Sequence, residues 1–271
     1  MKTYVITGAT SGIGNSLVRE FSRDNVVFAG YRNFEKREEL ERISKNVIPF
    51  FIDMTQPDSI DNAISFITSK TKKIDTLINV AGCVVAGAIE NIDIDNIRKQ
   101  FEVNTFSHLH LTQGLLPVLD GGKILNISSM ASYGIFPFVA PYCASKRALD
   151  ILFNALEIET AGKVKVVSIK PGVIATPLWE KSIKENVENI NDNKTYEKEM
   201  KYLVANAKDN GVNGLDVNKV TALILKVDAM KNPKPSYTVG ADAVGASIVA
   251  KLPQSLINKI VKFKLRLKVK K

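Results

Sequence analysis

Short runs of β-branched and aromatic residues alternate along this chain with longer stretches in which apolar positions recur every three or four residues. The short runs predict strands over Thr3–Thr7, Val26–Gly30, Val47–Ile52, Thr76–Val80, Lys123–Ser128, Val164–Ile169 and Ser236–Val239. The longer stretches predict helices over Gly12–Ser22, Phe34–Ser44, Pro57–Thr71, Ile94–Val118, Pro141–Ala161 and Asp216–Met230. Such alternation implies βαβ units with right-handed crossovers. The expected fold is therefore α/β, a doubly wound parallel sheet of about seven strands with helices on both faces, and with ligands beyond the carboxyl ends of the strands.

Two segments depart from this rhythm. Residues 177–214 are polar and rich in Asn and Lys, yet carry Leu178, Trp179, Ile183, Tyr196, Met200 and Leu203 at wide spacing. This predicts a helical, mobile lid over a substrate site within a single domain of residues 1–250. Residues 251–271 form a basic tail in which Leu252, Leu256, Ile257 and Ile260 are spaced as on a helix, followed by alternating Lys and apolar residues.

Composition narrows the picture. The chain has 271 residues, 45% of them hydrophobic and 24% charged, enough for a full core. Its formal charge of +9 includes eight Lys and Arg in residues 251–271, where there is no acid, which leaves about +1 for the rest. The body thus shows no nucleic-acid footprint. The tail reads as a solvated basic end, with contact to an anionic membrane surface or an acidic carrier protein as the alternative. Neither a secretory leader nor an apolar run of about 18 residues is visible, and Cys83 and Cys143 have no ligand-like spacing. A cytoplasmic location is expected.

Candidate chemistry begins at Thr7-Gly8-Ala9-Thr10-Ser11-Gly12-Ile13-Gly14, directly after the first strand. Glycines at a strand-to-helix turn let the backbone approach a pyrophosphate, which the helix N-terminus attracts; an ordinary tight turn would use glycines too. A second signal is Tyr142-Cys143-Ala144-Ser145-Lys146, in which Tyr142 and Lys146 stand on one helix face. Moving a Tyr from a pKa near 10 to about 7 or 8 takes roughly 3 to 4 kcal/mol, which a neighbouring ammonium in a dry cleft can supply.

These motifs occur together with Asn79-Val80-Ala81-Gly82 after the fourth strand, Ser129 thirteen residues before Tyr142, and Lys170-Pro171-Gly172 followed by Thr176. In that order and spacing the chain resembles the short-chain dehydrogenase/reductase family from Thr3 to about Gly240, and more narrowly its hydroxysteroid and retinol dehydrogenase branch. The resemblance implies a Rossmann-type fold, a nicotinamide cofactor and a homo-oligomer. It makes Tyr142 the general acid or base and Lys146 the group that depresses its pKa and binds the nicotinamide ribose. Ser129 would hold the substrate oxygen. Asn104 would kink a helix and hold a water that links Lys146 to solvent. The cofactor would lie on Gly8, Thr10, Ser11, Gly12, Ile13 and Gly14, pass Asn79, Ala81 and Gly82, and meet Pro171, Gly172, Ile174 and Thr176 around the nicotinamide. Asp53, beside Met54, would bind the adenine amino group. Val80 stands where the family more often has a second Asn, and Cys143 where it more often has Ser; Cys143 is expected to be structural.

At the end of the second strand, Tyr31 and Arg32 occupy positions where an acid would select NAD(H) by repelling a 2′-phosphate. A guanidinium there favours NADP(H), unless Arg32 merely stacks on the adenine. His108 and His110 diverge on a helix and are not expected to bind metal. The run Ile135–Val139, opposite Leu178 and Trp179, suggests a small apolar carbonyl or alcohol substrate such as a hydroxysteroid- or retinol-like molecule. A reductase of 3-oxoacyl thioesters and a non-catalytic nicotinamide-sensing protein are the alternatives.

Overall fold

The computed structural model describes residues 1–186 and 194–269. Seven strands form one parallel sheet: β1 (Thr3–Ile6), β2 (Val26–Tyr31), β3 (Val47–Phe51), β4 (Thr76–Asn79), β5 (Lys123–Ile127), β6 (Lys165–Pro171) and β7 (Ser236–Val239). Their order is β3-β2-β1-β4-β5-β6-β7. Strand β1 pairs in parallel with both β2 and β4, so the chain winds outward in one direction to β3 and in the other to β7. The reversal opens a crevice at the carboxyl ends of β1 and β4.

Side-chain alternation explains why helices cover both faces. Ile6, Ala29, Ile78, Leu125 and Val167 face one layer, where they pack with Leu17, Val18 and Phe21 of α1 (Gly12–Phe21) and with residues near the chain's other end. Val5, Phe28, Leu77, Ile124 and Val166 face the other. There they meet α3 (Pro57–Lys70), which follows the short α2 (Arg37–Glu41), and α5 (Ser107–Leu115), which follows α4 (Ile94–Phe101). Helix α6 (Ala140–Glu159) adds Leu149 and Phe153 to the same layer.

Beyond β6 come α7 (Leu178–Glu185), α8 (Glu197–Asn213) and α9 (Val217–Ala229), whose Val220, Ile224 and Val227 complete the first layer. Helices α10 (Ala241–Val249) and α11 (Gln254–Val269) end the described chain. Residues 187–193 of the expected lid and the last two residues of the tail lie outside the described residues.

The strands agree with the sequence reading to within one or two residues, but two helices differ. The segment expected to be helical over Phe34–Ser44 is a 3₁₀ turn followed by the five residues of α2. Only Leu40 of it is buried, so one side chain anchors an otherwise solvated stretch. The long helix expected over Ile94–Val118 is interrupted by a π turn at Glu102–Phe106, which contains Asn104. A kink at Asn104 is what the family resemblance implied.

Candidate active site

Three structural features shape the crevice floor. Gly8 has φ +63°, and a Cβ on it would stand 2.9 Å from the Ala81 amide nitrogen; one on Gly14 would stand 2.1 Å from the Gly8 carbonyl oxygen. Only glycine permits this approach of α1 to the β1 turn. Ser11 caps α1 without a side-chain hydrogen bond, leaving the first backbone N–H groups directed at the crevice as an anion cradle. Thr7 Oγ1 accepts from the Val80 and Ala81 amides at 3.0 and 3.2 Å, which ties the ends of β1 and β4 together.

The wall is built by α6 and the loop after β5. Tyr142 and Lys146 occupy adjacent turns of α6, with the Lys146 ammonium 6.0 Å from the Tyr142 ring centroid. Lys146 Nζ, itself buried, donates to the Ile127 carbonyl at 2.8 Å. Ser129 begins the turn after β5, accepts from the Ala131 amide at 3.1 Å, and hydrogen-bonds Tyr142. Burial pushes the Tyr142 phenol up to about 12, against the opposing effect of Ser129. Burial also pushes Lys146 down to about 8, with the Asp150 carboxylate one turn along acting the other way. In the protein by itself burial dominates the Tyr142 environment and raises its pKa, where the family resemblance implies a depression by Lys146.

Of the candidate catalytic and cofactor-binding residues, all but Gly14, Asp53, Asn79 and Asn104 line one cavity of about 680 Å³. Gly14 lies beneath its floor. Asp53 turns Oδ1 into its own loop, accepting from the Thr55 amide and hydroxyl at 2.9 and 2.8 Å. Asn79 donates to Asn126 Oδ1 inside the sheet at 2.8 Å. Asn104 lies fully buried behind the wall. Tyr31 ends β2 with its ring edge-on to the stacked rings of Phe34 and Phe51, at 5.9 and 6.0 Å, while Arg32 is exposed at the cavity edge.

Several residues that organise the site were not anticipated. The strap Cys83–Ala86 after β4 has no strand beside it, and three side-chain amides satisfy its backbone instead. Asn104 accepts from the Cys83 amide at 2.9 Å and donates to its carbonyl at 3.0 Å. Gln100 donates to the same carbonyl at 2.8 Å and accepts from the Val85 amide at 2.7 Å. Asn186, at the end of α7, donates to the Val84 carbonyl and accepts from the Ala86 amide, both at 2.8 Å. Gln100 and Asn104 stand four apart, so their shared helix face was readable from sequence. Asn186 acts across 100 positions and had no local signal.

On the opposite side, Asp242 of α10 accepts from the Val173 amide at 2.7 Å and fixes the turn after Pro171-Gly172. A Cβ on Gly172 would fall 2.0 Å from its carboxylate. Trp179 Nε1 donates to the Ile174 carbonyl at 2.7 Å. Phe136 and Val139 line the cavity, and Phe138, held at φ 66°, packs against Tyr196 ahead of α8 at 5.6 Å. A β-carbon residue in that conformation is strained. His108 is fully buried, and its Nε2 donates to the Ala81 carbonyl at 2.8 Å; burial lowers its pKa to about 3, so it is neutral. His110 instead faces Asp61 at the surface.

Comparison with known proteins gives a consistent result. Residues 2–187 match the family described as short chain dehydrogenase. An oxidoreductase of Bacillus subtilis named YusZ is 31% identical over 252 residues, covering 88% of this chain and 89% of that protein. The NADPH-dependent 3-dehydrocapnine reductase of Ornithobacterium rhinotracheale is 34% identical over 195 residues, 67% of this chain and 69% of that protein. In overall fold the chain is similar to a short chain dehydrogenase from Burkholderia cenocepacia solved with NADP, with TM-score 0.74 and 23% identity over 96% of this chain and 99% of that one.

Proposed function

Because the chain belongs to the short-chain dehydrogenase family of oxidoreductases, we propose that it uses NADP(H) to interconvert an alcohol and a ketone or aldehyde in this cavity. The observation that carries the reading is the convergence of Tyr142, Ser129 and Lys146 on one wall of a glycine-floored crevice. The floor fits a dinucleotide: glycines give room for a pyrophosphate, and the uncapped α1 N-terminus supplies donors for it. When bound, the nicotinamide donates or accepts the hydride.

The chain's own residues handle the oxygen and the proton. Tyr142, a phenol that stays protonated at neutral pH, can donate its hydroxyl proton to a carbonyl oxygen as negative charge develops there. Ser129, already bonded to Tyr142, is placed to donate to that same oxygen and fix its position. Lys146 is mainly an ammonium at pH 7 and keeps a positive charge beside the phenolate left after proton transfer.

Cofactor choice rests on the edge of β2, where no acid is present and Arg32 lines the cavity. Lys36 lines it as well. The NADPH dependence named for the Ornithobacterium relative supports the same preference. We take α7 and α8 as a lid, because Leu178, Trp179, Ile183 and Leu203 close the cavity over the Phe136–Val139 wall and give it an apolar body.

Tyr142→Phe tests the assignment. It removes the transferable proton and little volume, so NADPH binding should persist while reduction of the best carbonyl in a panel of steroids, retinoids, 3-oxo compounds and simple ketones falls at least about a hundredfold. Rates within a few-fold of the parent would show that another group supplies the proton.

A further inference from the structure

The cavity is not apolar throughout. Beyond the Tyr142 wall, three helices each contribute a polar pair to its lining: Asn96 and Lys99 from α4, Lys181 and Glu185 from α7, and Asn206 and Asn210 from α8. Residues three or four apart share a helix face; Asn206 and Asn210 are half-buried, whereas Asn96, Lys99, Lys181 and Glu185 are exposed and form the polar rim of the cavity mouth.

Two of these helices also hold the strap Cys83–Ala86, through Gln100 of α4 and Asn186 at the end of α7. This places Lys99 and Lys181 around one short segment. The charges of Lys146, Lys181, Lys99 and Glu185 all act on the Cys83 thiol. Lys99, Lys181 and Glu185 therefore stand on the strap's side of the cavity, as Lys146 does.

The balance of charge there is positive. Glu185 is the acid among these six residues, and its carboxylate lies 3.7 Å from Lys181, which it offsets in part. Among the described residues, Lys99 forms no ion pair. Lys99 is exposed at the cavity mouth, where an ammonium without a counter-ion adds to the field that draws an anion toward the cleft. A neutral polar group would need only the three asparagines.

Building on the carbonyl-reductase reading above, we propose that the substrate is an amphipathic carbonyl compound with an anionic group a few bonds from the reacting carbon. Lys99 and Lys181 hold the anion, and the hydrocarbon portion lies along Leu178, Trp179, Ile183 and Leu203. The carbonyl then meets Ser129 and Tyr142 with its orientation set from both ends.

Trp179 is the chain's single tryptophan and lines the cavity, so its fluorescence reports occupancy without turnover. The full-length protein saturated with NADPH is titrated with 3-hydroxydecanoate and with its methyl ester, neither of which can be reduced. The acid should bind about tenfold tighter than the ester at low salt, the equivalent of one well-placed charge contact. In Lys99→Gln/Lys181→Gln that preference should shrink to within about twofold, and in Glu185→Gln it should widen. Lys99→Glu should reverse it. Equal binding of acid and ester by the parent, an unsaturable response to the acid, or lysine variants that weaken both ligands alike would overturn the proposal. Failure of the underlying reductase reading shows differently, as NADPH that no carbonyl in the panel oxidises.

Discussion

Removing one member of the Asp150–Lys170 pair should loosen both sides of the site at once. The two side chains are 2% and 7% exposed and lie 2.7 Å apart, bridging α6 and the end of β6. The Lys170 ammonium also stands 4.5 Å from the centre of the Tyr133 ring, whose hydroxyl is 2.6 Å from Thr238 Oγ1 of β7. Neither Asp150 oxygen meets a donor in good directional geometry, so charge attraction is what holds the carboxylate. At 2.7 Å the gross attraction is about 6 kcal/mol with an effective dielectric of about 20. Desolvation of two ions cancels most of that, yet leaving one ion alone costs about 3–5 kcal/mol. For a chain of this length the loss corresponds to a fall in Tm of roughly 10 °C. Lys170→Met and Asp150→Asn should each show it, and the double variant should recover at least about 2 kcal/mol of the summed loss. Function should follow, because Lys170 directly precedes Pro171 and Tyr133 ends the turn that Ser129 begins. Asp150→Asn additionally withdraws support for the Lys146 ammonium. Denaturant unfolding of the four proteins, with steady-state kinetics well below the lowest midpoint, provides the measurement. A Lys170→Met protein within about 1 kcal/mol of the parent, or strictly additive losses, would refute the argument.

Two further outcomes are expected. Arg32 is exposed, so its contact with a 2′-phosphate is worth about 1.5 kcal/mol, the lower end for a charge-assisted bond; Arg32→Ala should weaken NADPH about tenfold and leave NADH nearly unchanged, and titration of both cofactors at fixed salt checks it, with equal or tighter NADH binding by the parent as the contrary result. Lys146→Met should abolish turnover yet stabilise the fold at pH 7, because the buried lysine's pKa is lowered to about 8. The unfolded chain binds the extra proton between that value and about 10.4, so the parent gains stability as pH rises through that window. The gap of up to roughly 3 kcal/mol, reduced by the lost bond to Ile127, should narrow toward pH 10; unfolding curves at pH 7 and 10 that move in parallel would contradict it.

The strands were legible in the sequence because each is a short β-branched or aromatic run whose alternate residues face two helical layers. Val5 and Ile6 enter opposite cores, as do Ile124 and Leu125. Local signals also placed the residues of the crevice: glycines where backbones nearly touch, and Tyr142 and Lys146 one helical turn apart. The π turn at Glu102–Phe106 escaped periodicity because one extra residue shifts the apolar stripe only slightly. The Tyr142 shift escaped because the spacing of a Tyr and a Lys carries no information on how much water reaches either.

The strap Cys83–Ala86 shows why the remainder of the site was not written in any motif. Its backbone lies where a neighbouring strand would ordinarily satisfy it, and a buried unpaired amide or carbonyl costs about 1–3 kcal/mol. Gln100, Asn104 and Asn186 provide donors and acceptors from α4, the π turn and the end of α7, so each amide substitutes for part of a missing strand. The side chains of Val84 and Val85 line the cavity in front of this partly paired backbone. Asn186 also joins the end of α7 to the strap through a contact 100 residues away in sequence, while Trp179 ties the start of α7 to the Ile174 carbonyl. The strap is thus held by residues of α4, the π turn and the end of α7 that no single motif joins, whereas Tyr142 and Lys146 are placed together by local spacing.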